Sequence, residues 1–200
     1  MKTETEDKKT VIAEFGPMVA MGIFYKGKDI SETDRLISTD QGTRPCRDKV
    51  FHEVLDMFNK QPIKILQVGA IESFNSAFRF GSGWSDIFFA QYIKEYGGQL
   101  TICDPDLDHL ANSIASAAML DYNIHTMLGK AEDFMQPEHD LYYLDGSNDP
   151  KECKEQMDII KDSSCVVLCD DFDIKGSIIK DEFDWQIRPV ANTMGILDLR

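Results

Sequence analysis

The chain has 200 residues, of which 42% are hydrophobic and 28% charged; this excludes wholesale disorder and allows one core rather than two. Its formal net charge of −14 sits almost entirely in residues 61–200, and an acidic body repels phosphate backbones and anionic lipid, which disfavours nucleic-acid and membrane partners. Five scattered cysteines without a CxxC pair, a charged N-terminus with no apolar leader and no apolar run of transmembrane length fit a cytoplasmic protein with reduced thiols and a small-molecule substrate.

Residues 1–10 are polar, and from Thr10 to about Gly42 short apolar pieces are punctuated by Gly16, Pro17, Gly22 and Gly27 without a period that assigns them. Residues 1–60 are read as an N-terminal helical or lid segment and residues 61–200 as the main body of a single compact domain. Asp48 to Lys60 reads as an amphipathic helix, with Val50, Val54, Leu55 and Phe58 at helical spacing, stopped by Gln61-Pro62.

From Pro62 onward strands and helices alternate. Ile63 to Val68 is a β-branched run ending at Gly69, and a helix is expected from Ser85 to Tyr96. Leu100 to Cys103 is the next strand, followed by a helix over Leu107 to Leu120, and Ile124 to Leu128 is the third strand. Leu141 to Leu144, a helix from Lys151 to Ile160 and Cys165 to Cys169 complete the alternation. Such spacing predicts βαβ units and a mostly parallel, doubly wound α/β sheet. The tail breaks the pattern. Trp185 to Val190 and Gly195 to Leu199 leave no room for an intervening helix and predict a C-terminal antiparallel hairpin on the sheet edge, whose exposed strand could pair with a second copy as a homodimer.

In such sheets ligands bind beyond the carboxyl ends of the strands, near the topological switch point. The residues there are Gly69-Ala70-Ile71-Glu72, Asp104, Gly129 to Glu132, Asp145-Gly146-Ser147 and Asp170-Asp171. Gly69 lets the chain turn off its strand, and Gly81 and Gly83 permit close backbone approach to a polar ligand; a flexible surface loop is the alternative. Asp104 can accept hydrogen bonds from ribose hydroxyls or cap the following helix, roles that can coexist. Asp145, Asp170 and Asp171 fall on strand ends expected to be adjacent, and clustered carboxylates repel unless a cation or proton lies between them; capping and hydration of the rim is the alternative. His52, His109, His125 and His139 read as surface or helix-end residues. Met18, Met21, Phe24 and Tyr25 are either a lid or ordinary core.

Taken in order, the GxxE turn, GSGWS, TICDPD, GKAEDF, HDLYYLDGS and VVLCDDF resemble the class I S-adenosylmethionine-dependent methyltransferases over about Lys64 to the C-terminus, nearest in pattern to catechol-type small-molecule O-methyltransferases. The resemblance implies a Rossmann-like fold closed by an antiparallel strand pair, which NAD-binding Rossmann domains lack. It implies that S-adenosylmethionine is bound by Gly69, Ala70, Glu72, Gly81, Gly83, Trp84, Ser85, Asp104, Ala131 and Glu132. Ser85 would hold the carboxylate end, Asp104 the ribose, and Ala131 with Glu132 the adenine; Glu72 would either support the loop or meet the cofactor's amino group. It further implies a Mg²⁺ site at Asp145, Asp170 and Asp171 that activates an acceptor hydroxyl. The sequence departs from that pattern in a longer loop after Ile71 and in Asn148, which stands where a catalytic lysine is expected, so Asp145 and Lys151 are the nearest candidates for catalysis. The expected activity is O-methylation of a small molecule. A cofactor-binding module without transfer activity, and an enzyme that cleaves the cofactor, are the alternatives.

Overall fold

A computed structural model describes residues 36–39, 42–45, 47–72, 85–190 and 193–200, with side chains from Arg47 onward. Two short strands, β1 (Leu36–Thr39) and β2 (Gly42–Pro45), pair antiparallel as a separate two-stranded sheet. This part of the N-terminal segment is therefore a hairpin rather than helix, in a stretch whose sequence carries no clear period.

Helix α1 (Asp48–Asp56) buries Val50, Phe51, Val54 and Leu55 on one face, the stripe its spacing predicts. It ends before Lys60, because Asn59 and Lys60 both take left-handed backbone conformations that no helix continues through. The main sheet then follows from β3 (Ile63–Val68), β4 (Gly98–Asp104), β5 (His125–Leu128), β6 (Leu141–Leu144), β7 (Val166–Cys169), β8 (Gln186–Arg188) and β9 (Met194–Asp198). Its spatial order is β5-β4-β3-β6-β7-β9-β8. The first five are mutually parallel, while β9 runs antiparallel to both β7 and β8. The tail is the edge hairpin the sequence predicts, with its second strand inserted beside β7.

Helices α2 (Ser85–Tyr96), α3 (Leu107–Met119), α4 (Pro150–Ile160) and the short α5 (Phe172–Lys175) complete the layers. The period-2 rule sorts the core. Ile63, Ile65, Ile102, Tyr143 and Leu168 meet α1, α2 and α3 on one face; Leu66, Val68, Tyr142, Leu144 and Cys169 meet Cys153, Met157 and Ile160 of α4 on the other. Burial on both faces explains why these strands are nearly continuous apolar runs. The chain reverses its direction of winding at β3, flanked by β4 and β6, so the carboxyl ends of those three strands frame a crevice.

Candidate active site

At the end of β3 the chain turns at Gly69, whose φ is +93°. A Cβ there would lie 2.5 Å from the backbone oxygen of Asp145, so only glycine lets the exits of β3 and β6 run this close. The segment beyond is clamped. The Ala70 N–H donates to Asp104 Oδ2 at 2.9 Å and the Ile71 N–H to Ser113 Oγ at 3.0 Å. Asn112 Nδ2 donates to the carbonyls of Ile71 and Glu72 at 3.1 and 3.3 Å. Ser113 in turn donates to Asp86 Oδ2.

A cleft of about 540 Å³ opens along the strand tips, within the range that holds small cofactors. Gly69, Ala70 and Glu72 from the β3 loop, Asp104 from β4, Lys130 and Ala131 after β5, Asp145 after β6 and Asp171 after β7 all line it. Five strand ends thus converge on one space.

The two roles weighed for Asp104 are separated. Asp106 is the N-cap of α3, accepting from the N–H groups of Asp108 and His109, while Asp104 Oδ1 accepts from the Asp106 N–H at 2.7 Å. Asp104 is fixed by backbone donors at the cleft wall, its capping duty taken by a neighbour. His109, expected as a helix-end residue, stands in the first turn of α3 and lines the cleft as well, with Nδ1 3.4 Å from Asp104 Oδ2.

Four residues named from the sequence lie away from the described cleft wall, among them the fully buried Asp170. Ser85 begins α2 fully buried, with its hydroxyl unpartnered, and does not line the cleft. Glu132 is turned toward α4, where its Oε1 accepts from Gln156 Nε2 at 2.8 Å. Lys151 is exposed on the first turn of α4, its backbone N–H donating to the Asp149 cap; the neighbouring Glu152 faces the cleft instead. Gly81, Gly83 and Trp84, like Met18, Met21, Phe24 and Tyr25, lie outside the described residues.

Asp145, Asp170 and Asp171 do come together, each offering a carboxylate oxygen within 4.8 Å of the others. What compensates them is protein. Arg47, 2% exposed, pairs its Nη1 with Asp170 Oδ2 and stands 3.8 Å from Asp145 Oδ2. Lys175, 1% exposed, places Nζ 3.7 Å from Asp145 Oδ1 and donates to the Leu144 carbonyl at 3.4 Å. The Tyr143 hydroxyl accepts from Arg47 Nη1 at 3.3 Å and shares its proton between Asp145 Oδ2 at 2.9 Å and Asp170 Oδ2 at 3.2 Å. Burial holds the Tyr143 phenol well above its usual range despite the opposing pull of Arg47, so it remains a donor. Among the described residues, three carboxylates stand beside two buried cations. A divalent ion fits this donor set poorly, because both oxygens of Asp145 already face a positive group and a third cation there would be repelled.

Asp171 differs from its neighbours. It occupies a left-handed conformation (φ 48°) at the start of α5, yet its side chain does not cap that helix. Burial raises its carboxyl pKa, opposed by nearby Lys175, while Asp145 adds to the rise.

Arg47, Tyr143 and Lys175 were missed by sequence reasoning. Tyr143 precedes Asp145 by two residues, which puts both on one strand face, and Lys175 follows Asp171 by one helical turn; these spacings were the available signals. Arg47 offered none.

No family model and no curated relative matches the sequence. Solved structures do match its fold. The Podospora anserina methyltransferase PaMTH1 bound to S-adenosylhomocysteine is 14% identical with a TM-score of 0.55, covering 99% of this chain and 97% of that one. The O-methyltransferase TomG from Streptomyces achromogenes, in complex with S-adenosylmethionine, is 14% identical with a TM-score of 0.55 and complete coverage of both chains. An RNA methyltransferase from Salinibacter ruber is 14% identical with a TM-score of 0.52, over 78% of this chain and 93% of its own. With the strand order, the inserted antiparallel β9 and these neighbours in agreement, the chain has the Rossmann-like fold of the class I S-adenosylmethionine-dependent methyltransferases.

Proposed function

We propose that the protein transfers the methyl group of S-adenosylmethionine to a hydroxyl of a small acceptor. The observation that carries this reading is the convergence of Gly69-Ala70, Asp104 and the Asp145–Asp171 pair on one cleft at the switch point of the sheet. PaMTH1 and TomG, with S-adenosylhomocysteine and S-adenosylmethionine respectively, support the choice of cofactor. Asp104, anchored by Ala70 and Asp106, keeps acceptor capacity for ribose hydroxyls. The closely packed Gly69 turn gives the cofactor backbone to lie against, and Ala131 with Lys130 borders the base.

When bound, the cofactor supplies an electrophilic methyl on a sulfonium, so the protein needs mainly to align donor and acceptor and to take one proton. The carboxylates of Asp145 and Asp171, which line the cleft, complement the positive charge of the sulfonium. Transfer to an acceptor hydroxyl would release the thioether as leaving group, and the chain would have to take up the hydroxyl proton on a carboxylate. Asp171 is the residue assigned to receive it, because it faces the cleft and is not used as a helix cap; Asp145 stands beside it. The acceptor is read as a small molecule rather than nucleic acid, since the chain carries a net charge of −14. Cys103, Cys153, Cys165 and Cys169 are unbridged and buried, consistent with the reducing cytoplasm. No described helix is long and apolar enough to cross a membrane.

Calorimetric titration with S-adenosylhomocysteine tests the reading. Asp104→Ala removes charge-assisted hydrogen bonds worth about 1.5–3 kcal/mol and is expected to weaken binding by about 10- to 100-fold; unchanged affinity would remove Asp104 from the site. Incubation of the wild type with S-adenosylmethionine and a panel of hydroxylated acceptors, followed by mass analysis, should show an acceptor-dependent gain of one methyl group.

A further inference from the structure

The carboxylates at the ends of β6 and β7 are met by buried cations of the chain itself. Asp170 is 0% exposed and Arg47 and Lys175 almost equally so, which makes each charge unfavourable by itself and tolerable only as part of a compensated group. Lys175 Nζ meets Asp145 Oδ1, Arg47 Nη1 approaches Asp145 Oδ2 and pairs with Asp170 Oδ2, and Tyr143 ties the two aspartates together through one hydroxyl. The cations come from opposite sides: Arg47 stands at the start of α1, packed on one face of the sheet, and Lys175 ends α5, whose Phe172 packs on the other.

We infer that Arg47 and Lys175 are the resident counter-cations of the Asp145–Asp170–Asp171 cluster, positioning residues that hold Asp145 at the cleft rim and exclude a divalent cation from it. An ion coordinated to Asp145 Oδ1 would lie close to the buried ammonium of Lys175, and one on Oδ2 close to the buried guanidinium of Arg47. The electrostatics that make three carboxylates a metal site are here spent within the chain. This inference borrows from the proposed function only the identity of the cleft; the charge balance is independent of which cofactor binds.

Mn²⁺ is the probe, followed by the paramagnetic resonance signal of the free aquo ion in titrations of the full chain. Wild type is expected to leave that signal undiminished through submillimolar Mn²⁺. Lys175→Met and Arg47→Met, each removing one positive charge beside Asp145, are expected to gain Mn²⁺ affinity by about tenfold or more, whereas Arg47→Lys, which keeps the charge, stays like the wild type. One Mn²⁺ bound per wild-type chain at submillimolar concentration, and lost in Asp145→Asn, would overturn the inference. So would a folded Lys175→Met or Arg47→Met protein, judged by circular dichroism, that gains no affinity. If neither methionine variant folds, the wild-type titration still decides. Titration of the same samples with S-adenosylhomocysteine separates the two readings, because failure of that ligand to bind would end the cofactor assignment and leave the cation result standing.

Discussion

Asp86 shows how a buried polar residue that does not line the cleft can still serve it. It is buried in the first turn of α2, where it accepts the Ser113 hydroxyl that itself accepts the Ile71 N–H of the β3 loop. Burial raises its pKa from 3.8 to about 6, against the opposing hydrogen bond from Ser113. Since the folded value exceeds the unfolded one, the folded state holds this proton more tightly. Stability from this group is complete below pH 3.8 and is lost as pH rises through about 6. Asp86→Asn keeps an acceptor for Ser113 and removes the charge. It is expected to be more stable than wild type at pH 8 by up to about 3 kcal/mol, with the gap closing toward pH 4, in urea unfolding at both values. A gap that does not change with pH would mean Asp86 is not the titrating group. Single residues were legible in the sequence where a rule of position singled them out. Asp104, Asp145 and Asp171 follow strands at the sheet's binding edge, so the topology alone marked them. Arg47 reaches the cluster across more than ninety residues of chain; Glu132 turns away to pair with Gln156 and Lys151 stands exposed on α4, neither of which spacing encodes.

Among the elements, α5 and the closing hairpin depend on each other. The Phe172 N–H donates to the Thr193 carbonyl at 2.7 Å, and the Phe172 ring packs at a tilt of 46° against Trp185, 4.6 Å between centroids. Gly195, in β9, lies directly under that ring, and a Cβ added there would fall well inside van der Waals contact with it. Gly195→Ala should therefore displace Phe172 and with it the start of α5, which carries Asp171 and Lys175. An overpacking loss of about 1–3 kcal/mol is expected in thermal denaturation, and Phe172→Leu in the same chain should restore part of it. Additive losses in the double variant would refute the contact. At this scale the sequence was a good guide, because strands buried on both faces must be apolar runs and those runs end in Gly or Asp at the turn. The β1–β2 hairpin escaped it: LIST and GTRP are too short and too mixed to show a period. The early end of α1 escaped it too, since Asn59 and Lys60 take left-handed conformations that no rule of composition assigns to that lysine.

Over the whole molecule, and on the proposed function, the charge of −14 should distinguish substrate from product. S-adenosylmethionine carries a sulfonium, an ammonium and a carboxylate, for a net charge of about +1 at neutral pH; S-adenosylhomocysteine has lost the sulfonium and is net neutral. The acidic body raises the local concentration of the first and is indifferent to the second. Within the cleft the carboxylates of Asp145 and Asp171, which line it, act in the same direction at closer range. Salt separates the two contributions, because a field reaching through solvent is screened over about 10 Å at 0.1 M ionic strength while contacts inside the cleft are screened much less. Raising salt from about 20 mM to about 300 mM should weaken S-adenosylmethionine binding several-fold and change S-adenosylhomocysteine binding by less than about twofold, measured by calorimetry in one buffer. Equal salt dependence for both ligands would mean that the body's charge acts on neither, and that discrimination between substrate and product rests on the cleft alone.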